Sequence, residues 1–175
     1  VIFPTGTIRG LTVTSMNMGI VVAIGVVATI EDVIVEDVAR NGILVGGGVA
    51  NLTRVAVRRA GEVGILITSD IGVQLSSVVV RDAATGVRFQ GSGESTLAQV
   101  AVLNAGDGGG IVVTGHDVSG ETVVVDSATG VDIEAMADAS VALEDAVVRR
   151  ANRGVHARMG ATATLTRAWL AKNRG

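Results

Sequence analysis

The chain has no cysteine, so a disulfide framework, a thiolate metal site and a thiol nucleophile are all excluded. Aromatic residues are nearly missing too, since Phe3, Phe89 and Trp169 are the only three among 175 residues. Ordinary globular cores use more rings. With 48% hydrophobic residues and 24 glycines, the composition instead suits a narrow, repetitive interior filled by small and β-branched aliphatic side chains. No apolar run reaches the roughly 20 residues of a membrane-spanning helix. The best stretch, residues 20–30, is short and broken by Gly25 and Thr29. No leader pattern opens the chain, which begins at Val1, so the expectation is a removed leader or a segment of a longer protein.

What the sequence does contain is a repeat. A glycine followed by Ile or Val recurs as Gly19-Ile20, Gly42-Ile43, Gly64-Ile65, Gly86-Val87, Gly110-Ile111, Gly130-Val131 and Gly154-Val155, and Gly175 closes the chain. Successive glycines are 20 to 24 residues apart. Around them runs the form Leu-x-x-Val-x-Val, turn, Gly-Ile-x-Val, as in Leu52, Val55, Val57, Gly64, Ile65 and Ile67, or Leu75, Val78, Val80, Gly86, Val87 and Phe89. Each unit therefore carries three short runs of period-two alternation, which is strand chemistry, and helical spacing is nowhere sustained. One such unit cannot bury its apolar side alone, so successive units must stack with parallel strands about 4.8 Å apart. The expected fold is a right-handed, single-stranded parallel β-helix solenoid over residues 1–175, with about seven to eight coils of roughly 22 residues. Between Gly110 and Gly130 the unit is short, and Gly120 stands where a leucine is expected, which predicts a tight corner.

This repeat resembles that of the pectate lyase-like superfamily of parallel β-helices. The resemblance covers nearly the whole chain and implies a secreted or cell-surface bacterial protein. The superfamily holds polysaccharide lyases, glycoside hydrolases, phage tailspikes and non-catalytic surface proteins, so it implies fold rather than activity.

If the aliphatics at both ends of Val-x-Val point inward, the residue between them points out. That row reads Thr12, Ile34, Ala56, Val79, Ala101, Val124, Val147 and Trp169, apolar at seven of eight positions. The corresponding row on the strand containing Leu52 is polar at six of seven positions: Thr7, Thr29, Asn51, Gln74, Thr96, Ala142 and Thr164. One wall thus reads as wetted and the other as an interaction wall for another segment or protomer. After the glycine the outward row is expected to be Val21, Leu44, Leu66, Arg88, Val112, Asp132 and His156.

Equivalent positions in neighbouring coils should also pair charges, namely Glu36 with Arg58, Asp126 with Arg149, Asp132 with His156 and Glu134 with Arg158. In the turn row Asp37, Arg59 and Asp82 alternate in sign. No Lys or Arg lies between Arg88 and Arg149, and the acids there make Asp107, Asp117, Asp132, Glu134 and Asp138 weak calcium candidates; a solvated acidic face is the plainer expectation. No other cofactor is implied. A net charge of -3 without an aromatic platform argues against nucleic-acid binding.

Polygalacturonase-like relatives carry a Gly-His-Gly segment beside clustered aspartates, and this chain has Thr114-Gly115-His116-Asp117. The paired acids of glycoside hydrolysis are not found at matching coils, so no catalytic residue is assigned and His116 is expected at a corner. Arg58 and Arg81 are adjacent and outward, as a lyase requires, but their coils have short turns that cannot wall a groove. The leading expectation is a non-catalytic structural, adhesive or scaffold β-helix that associates through its ends or its apolar wall with its own missing segments or other protomers. The competing one is a fragment of a polysaccharide lyase or glycoside hydrolase acting on acidic glycans. No terminal amphipathic helix caps the coils, so the chain is expected to be a segment lacking end caps.

Overall fold

The computed structural model describes residues 5–174 and shows an all-β solenoid, in which a column position returns every 22 to 24 residues. Phe3 and Gly175 lie outside the described residues. Among the described residues there is no helix long and apolar enough to cross a membrane. One column shows the stacking directly: Thr7, Thr29, Asn51, Gln74, Thr96, Ser119, Ala142 and Thr164 are successive parallel partners. They mark coils one to eight.

Each coil has three faces. The first runs from Thr5–Arg9 through Ser140–Glu144 to Thr162–Thr166, and the second from Thr12–Thr14 through Val147–Arg149 to Trp169–Ala171. The third face holds Ile20–Val22, Ile43–Val45, Val63–Ile67, Thr85–Gln90, Ile111–Thr114, Val131–Met136 and Arg153–Ala157. In the middle coils the first two faces belong to one continuous ladder, for example Val27–Val38, because the chain bends between them without breaking its inter-coil hydrogen bonds.

The bend is made by a single residue. Asp32, Arg54, Ser77, Gln99, Thr122, Asp145 and Arg167 form one column at φ of 50° to 56°, above Gly10. Ser15, Asp37, Arg59, Asp82, Asn104, Ser127, Arg150 and Lys172 form the next, at φ of 52° to 66°. A left-handed residue between extended ones turns the strand and slips its alternation by one, so in coils two to seven the residue after the bend is buried, as with Val33 after Asp32 and Val38 after Asp37. Each such residue costs about 1 to 2 kcal/mol relative to the ordinary backbone. Pairing across coils offsets part of that cost: Arg54 grips Asp32 with Nε–Oδ1 at 2.6 Å and Nη2–Oδ2 at 3.0 Å, and Arg59 grips Asp37 in the same way. Thr122 is the β-branched member and is exposed, with no side-chain hydrogen bond among the described residues. Thr122→Gly is therefore expected to stabilise the protein by about 1 kcal/mol in chemical denaturation; a loss of stability would show that the bend is not strained.

The interior is a set of aliphatic stacks. Leu52, Leu75, Leu97 and Leu143 line the first face, Val35, Val57, Val80, Val102, Val125 and Val148 the second, and Ile43, Ile65, Val87, Ile111 and Ile133 the third, all buried. The glycine that opens the third face is needed for space. A Cβ at Gly42 would lie 2.5 Å from the Gly64 carbonyl oxygen, and one at Gly110 would lie 2.5 Å from that of Asp132.

Two register expectations are corrected here. Ile111 pairs with Ile133 and Ile133 with Val155, so Asp132, not Gly130, occupies the glycine column of coil six. The short unit disappears once this is read correctly, because Gly110, Asp132 and Gly154 are evenly spaced. Gly120 forms no corner. It lies in the middle of Asp117–Asp126, between Leu97 and Leu143, and an added Cβ would sit 2.8 Å from the Leu97 Cβ and 3.1 Å from the Leu143 Cδ2. The two flanking leucines fill the space that a side chain would otherwise occupy.

Candidate docking face and buried polar corner

The second face exposes two columns. Thr12, Ile34, Ala56, Val79, Ala101, Val124, Val147 and Trp169 are successive parallel partners, and each is at least partly exposed. Val79 retains 38% exposure and Trp169 56%. The reason is local: in each Val-x-Val the outer residues bury inward, and alternation leaves the middle one on the surface. Beside it runs a charged column of Thr14, Glu36, Arg58, Arg81, Leu103, Asp126, Arg149 and Ala171.

The charges of this column are only partly neutralised from within. Glu36 is taken by Arg59, which reaches it at 3.1 Å, rather than by its register neighbour Arg58. Arg58 has no ion-pair partner among the described residues, and Arg81 lies beside it with its Nε only 3.8 Å from Asp82. Asp126 is buried. Burial raises its affinity for a proton, but hydrogen bonds from Arg149 at 3.0 Å, Ser127 at 3.0 Å and Arg150 at 2.7 Å outweigh that and hold its carboxyl below the ordinary value. The Arg149 guanidinium also lies 5.8 Å from the centre of the Trp169 ring, so the indole continues the wall over a cation.

The expected pairs of Asp126 with Arg149 and Glu134 with Arg158 are present, the latter at 3.0 Å. Asp132 does not meet His156. Glu134 takes that place, because the outward row of the third face runs Val21, Leu44, Leu66, Arg88, Val112, Glu134 and His156. Asp132 instead points into the solenoid and is fully buried. Its Oδ1 accepts a hydrogen bond from the Ala128 N–H at 3.2 Å, while Oδ2 has no partner. Burial, aided by the nearby Asp126 carboxylate and opposed by the Ala128 and Arg149 amides, pushes its pKa up to about 7.

The other acids singled out from the sequence are scattered. Asp107 accepts from Thr129, Asp117 from the Ser140 amide, Glu134 is paired with Arg158, and Asp138 sits in a turn at φ 60°. Among the described residues no group of three His, Asp or Glu side chains is arranged to hold a metal ion.

His116 lies at the corner leading from the third face to the first and is fully buried. Its Nε2 is 2.9 Å from the Ser95 Oγ, its ring centre 5.4 Å from that of Phe89, and its Nδ1 has no partner. A serine hydroxyl against an imidazole is the pairing used by nucleophilic enzymes, but Ser95 is 2% exposed and its oxygen also accepts the Val73 amide at 3.1 Å. Both side chains are closed off from solvent. The arrangement belongs to a buried polar corner in which Ser69 likewise donates to the Gly48 carbonyl at 3.0 Å. Burial holds the His116 pKa below its usual value, against the pull of Asp117 and Asp70.

No protein-family model and no curated protein matches this chain. The functional reading therefore rests on the faces themselves.

The alternation of Val-x-Val was sufficient to find the outward apolar column. The corner ladders of Asp32 with Arg54, and Asp145 with Arg167, were missed. Their signal was present in the sequence as a polar residue after every fifth strand position, where the inward phase slips by one.

Proposed function

We propose that this chain is a non-catalytic scaffold whose second face is a docking surface within a secreted or cell-surface bacterial assembly. The observation that carries the reading is the unbroken apolar column from Ile34 to Trp169 on a solvent-facing wall, beside a first face whose equivalent column is polar. Contiguous apolar surface of this kind is associated with interaction sites rather than with free solvent. The likeness of the repeat to the pectate lyase-like superfamily supports the surface location. It also supports a rod-like role, since the same fold serves non-catalytic surface proteins.

Two measurements test this. At about 1 μM, where weak self-association is negligible, an environment-sensitive apolar dye should bind the wild-type protein and lose most of its signal in Val79→Lys/Val124→Lys. Both side chains point outward, so circular dichroism should be unchanged. Equal dye binding in the two proteins would overturn the docking face. Incubation with acidic polysaccharide and calcium should release no unsaturated or reducing ends; their release would overturn the non-catalytic reading.

A further inference from the structure

We infer that the corner joining the third face to the first between coils five and six is an acid-sensitive latch, held shut by the neutral His116 ring on Ser95 and opened locally when that ring takes up a proton.

The corner is built around the imidazole. His116 lies between Ile111–Thr114 and Asp117–Asp126, and the equivalent stretch of the coil below is Gly91-Ser92-Gly93, between Thr85–Gln90 and Glu94–Leu103. A Cβ at Gly93 would lie 2.9 Å from the His116 Cε1, so the ring has its place only because a glycine stands there. Outside the strands the corner is tied to its neighbours by single backbone bonds, from the Asp117 N–H to the Gly93 carbonyl at 3.0 Å and from the Ser140 N–H to the His116 carbonyl at 3.3 Å. Such a stretch can open without unwinding the ladders on either side of it.

A count of donors and acceptors fixes the closed state as neutral. The Ser95 Oγ accepts the Val73 N–H at 3.1 Å and gives its one proton to the His116 Nε2 at 2.9 Å. The ring proton is then on Nδ1, which has no partner among the described residues. A second ring proton has to sit on Nε2, where it meets the Ser95 hydroxyl as donor against donor. The hydroxyl must turn away, and among the described residues it has no other acceptor. The imidazolium would be a full charge in a site without solvent exposure, and an unpaired buried charge costs far more than a buried neutral ring.

No counter-charge touches it. Asp70 and Asp117 are the carboxylates that act on the ring, and each is engaged elsewhere: the Asp70 Oδ1 accepts the Ser92 N–H at 3.0 Å and the Ser92 hydroxyl at 3.1 Å, and the Asp117 Oδ1 accepts the Ser140 N–H at 3.2 Å. Both are exposed, as are Glu94 beside Asp117 and Asp138 in the corner above, while Arg88 belongs to the outward row of the strand that carries Phe89. Burial outweighs the two carboxylates and keeps the His116 pKa below its ordinary 6.5. In the opened corner the ring meets water and recovers the ordinary value. Opening therefore takes up a proton between those two values, and the open fraction rises about tenfold for each pH unit below 6.5 until the closed ring itself titrates.

Amide hydrogen exchange from about pH 7 to about pH 5, corrected for the intrinsic rate, reads this opening; that range stays above the ordinary carboxylate values. In the wild type, opening measured at the Val73 and Asp117 amides should be constant down to 6.5 and then grow about tenfold per unit, while the Val80, Val102 and Val125 amides on the second face of coils four to six stay unchanged. His116→Gln keeps an acceptor for Ser95 but takes up no proton in this range, so its Val73 amide should show no such dependence. Where that variant does not fold, the wild-type ring decides. The chain has two histidines, so His156→Asn leaves one imidazole, whose resonances should titrate below 6.5. A ring that titrates at or above 6.5, an exchange profile shared by the wild type and His116→Gln, or equal acceleration on the second face overturns the latch.

Discussion

Replacing Asp132 by asparagine is expected to stabilise the protein by about 4 kcal/mol at pH 8 and by almost nothing near pH 4. Six other coils place glycine at this point of the third face, and here a carboxyl is enclosed with one oxygen unpartnered. Folding raises its pKa from 3.8 to about 7. Between those two pH values the folded chain keeps a proton that the unfolded chain has released, so stability falls as pH climbs through the window and levels off above it. Asparagine has no such proton, and its amide oxygen still accepts the Ala128 N–H. The difference between variant and wild type should therefore grow steadily from pH 4 to pH 7. His116 works in the opposite sense: its lowered pKa means that stability is lost as pH falls through and below 6.5. Comparing the two proteins at each pH by urea denaturation subtracts that contribution. A pH-independent difference would show that Asp132 is ionised throughout, with a counter-charge or water satisfying Oδ2.

Truncating Phe89 to alanine is expected to cost about 4 kcal/mol. It is fully enclosed, in the inward column of Val45, Ile67, Phe89, Val113 and Ala135, and it packs against the buried ring of His116. Removing it opens a hole in a stack whose neighbours are held by the hydrogen-bonded coils on either side, so the walls cannot collapse. Phe89→Ile should cost only about 1 kcal/mol, because Ile67 already occupies the same position one coil below. Thermal or urea denaturation of both variants checks this; equal losses would mean that the cost lies in the contact with His116 rather than in the cavity.

Most of the fold was legible because a stacked solenoid converts sequence period into spatial columns. Val-x-Val set which side chains face in, and the polar Thr7 column and the apolar Ile34 column followed from alternation alone. The failures cluster in coil six. There Asp132 replaced the expected glycine while a different glycine, Gly130, stood two residues earlier, so the repeat was aligned on the wrong residue and a buried acid was read as a surface one. Gly120 misled for a related reason. A glycine in a leucine column suggests a bend when read along the chain, and only the coils on either side show that Leu97 and Leu143 fill its space.

Charge pairing was legible for register neighbours and not for bends. Asp126 with Arg149 needed only the column rule, whereas the choice of Arg59 over Arg58 by Glu36 depends on where a left-handed residue throws its side chain. Local alternation and the recurring aliphatics determined by themselves that the chain winds into parallel coils with one apolar wall, because burial on one side of a strand demands a period of two. Which polar groups are trapped inside and which arginines are left unpaired were decided only by the stacking of neighbouring coils, since each depends on atoms some 22 residues away that a single repeat cannot display.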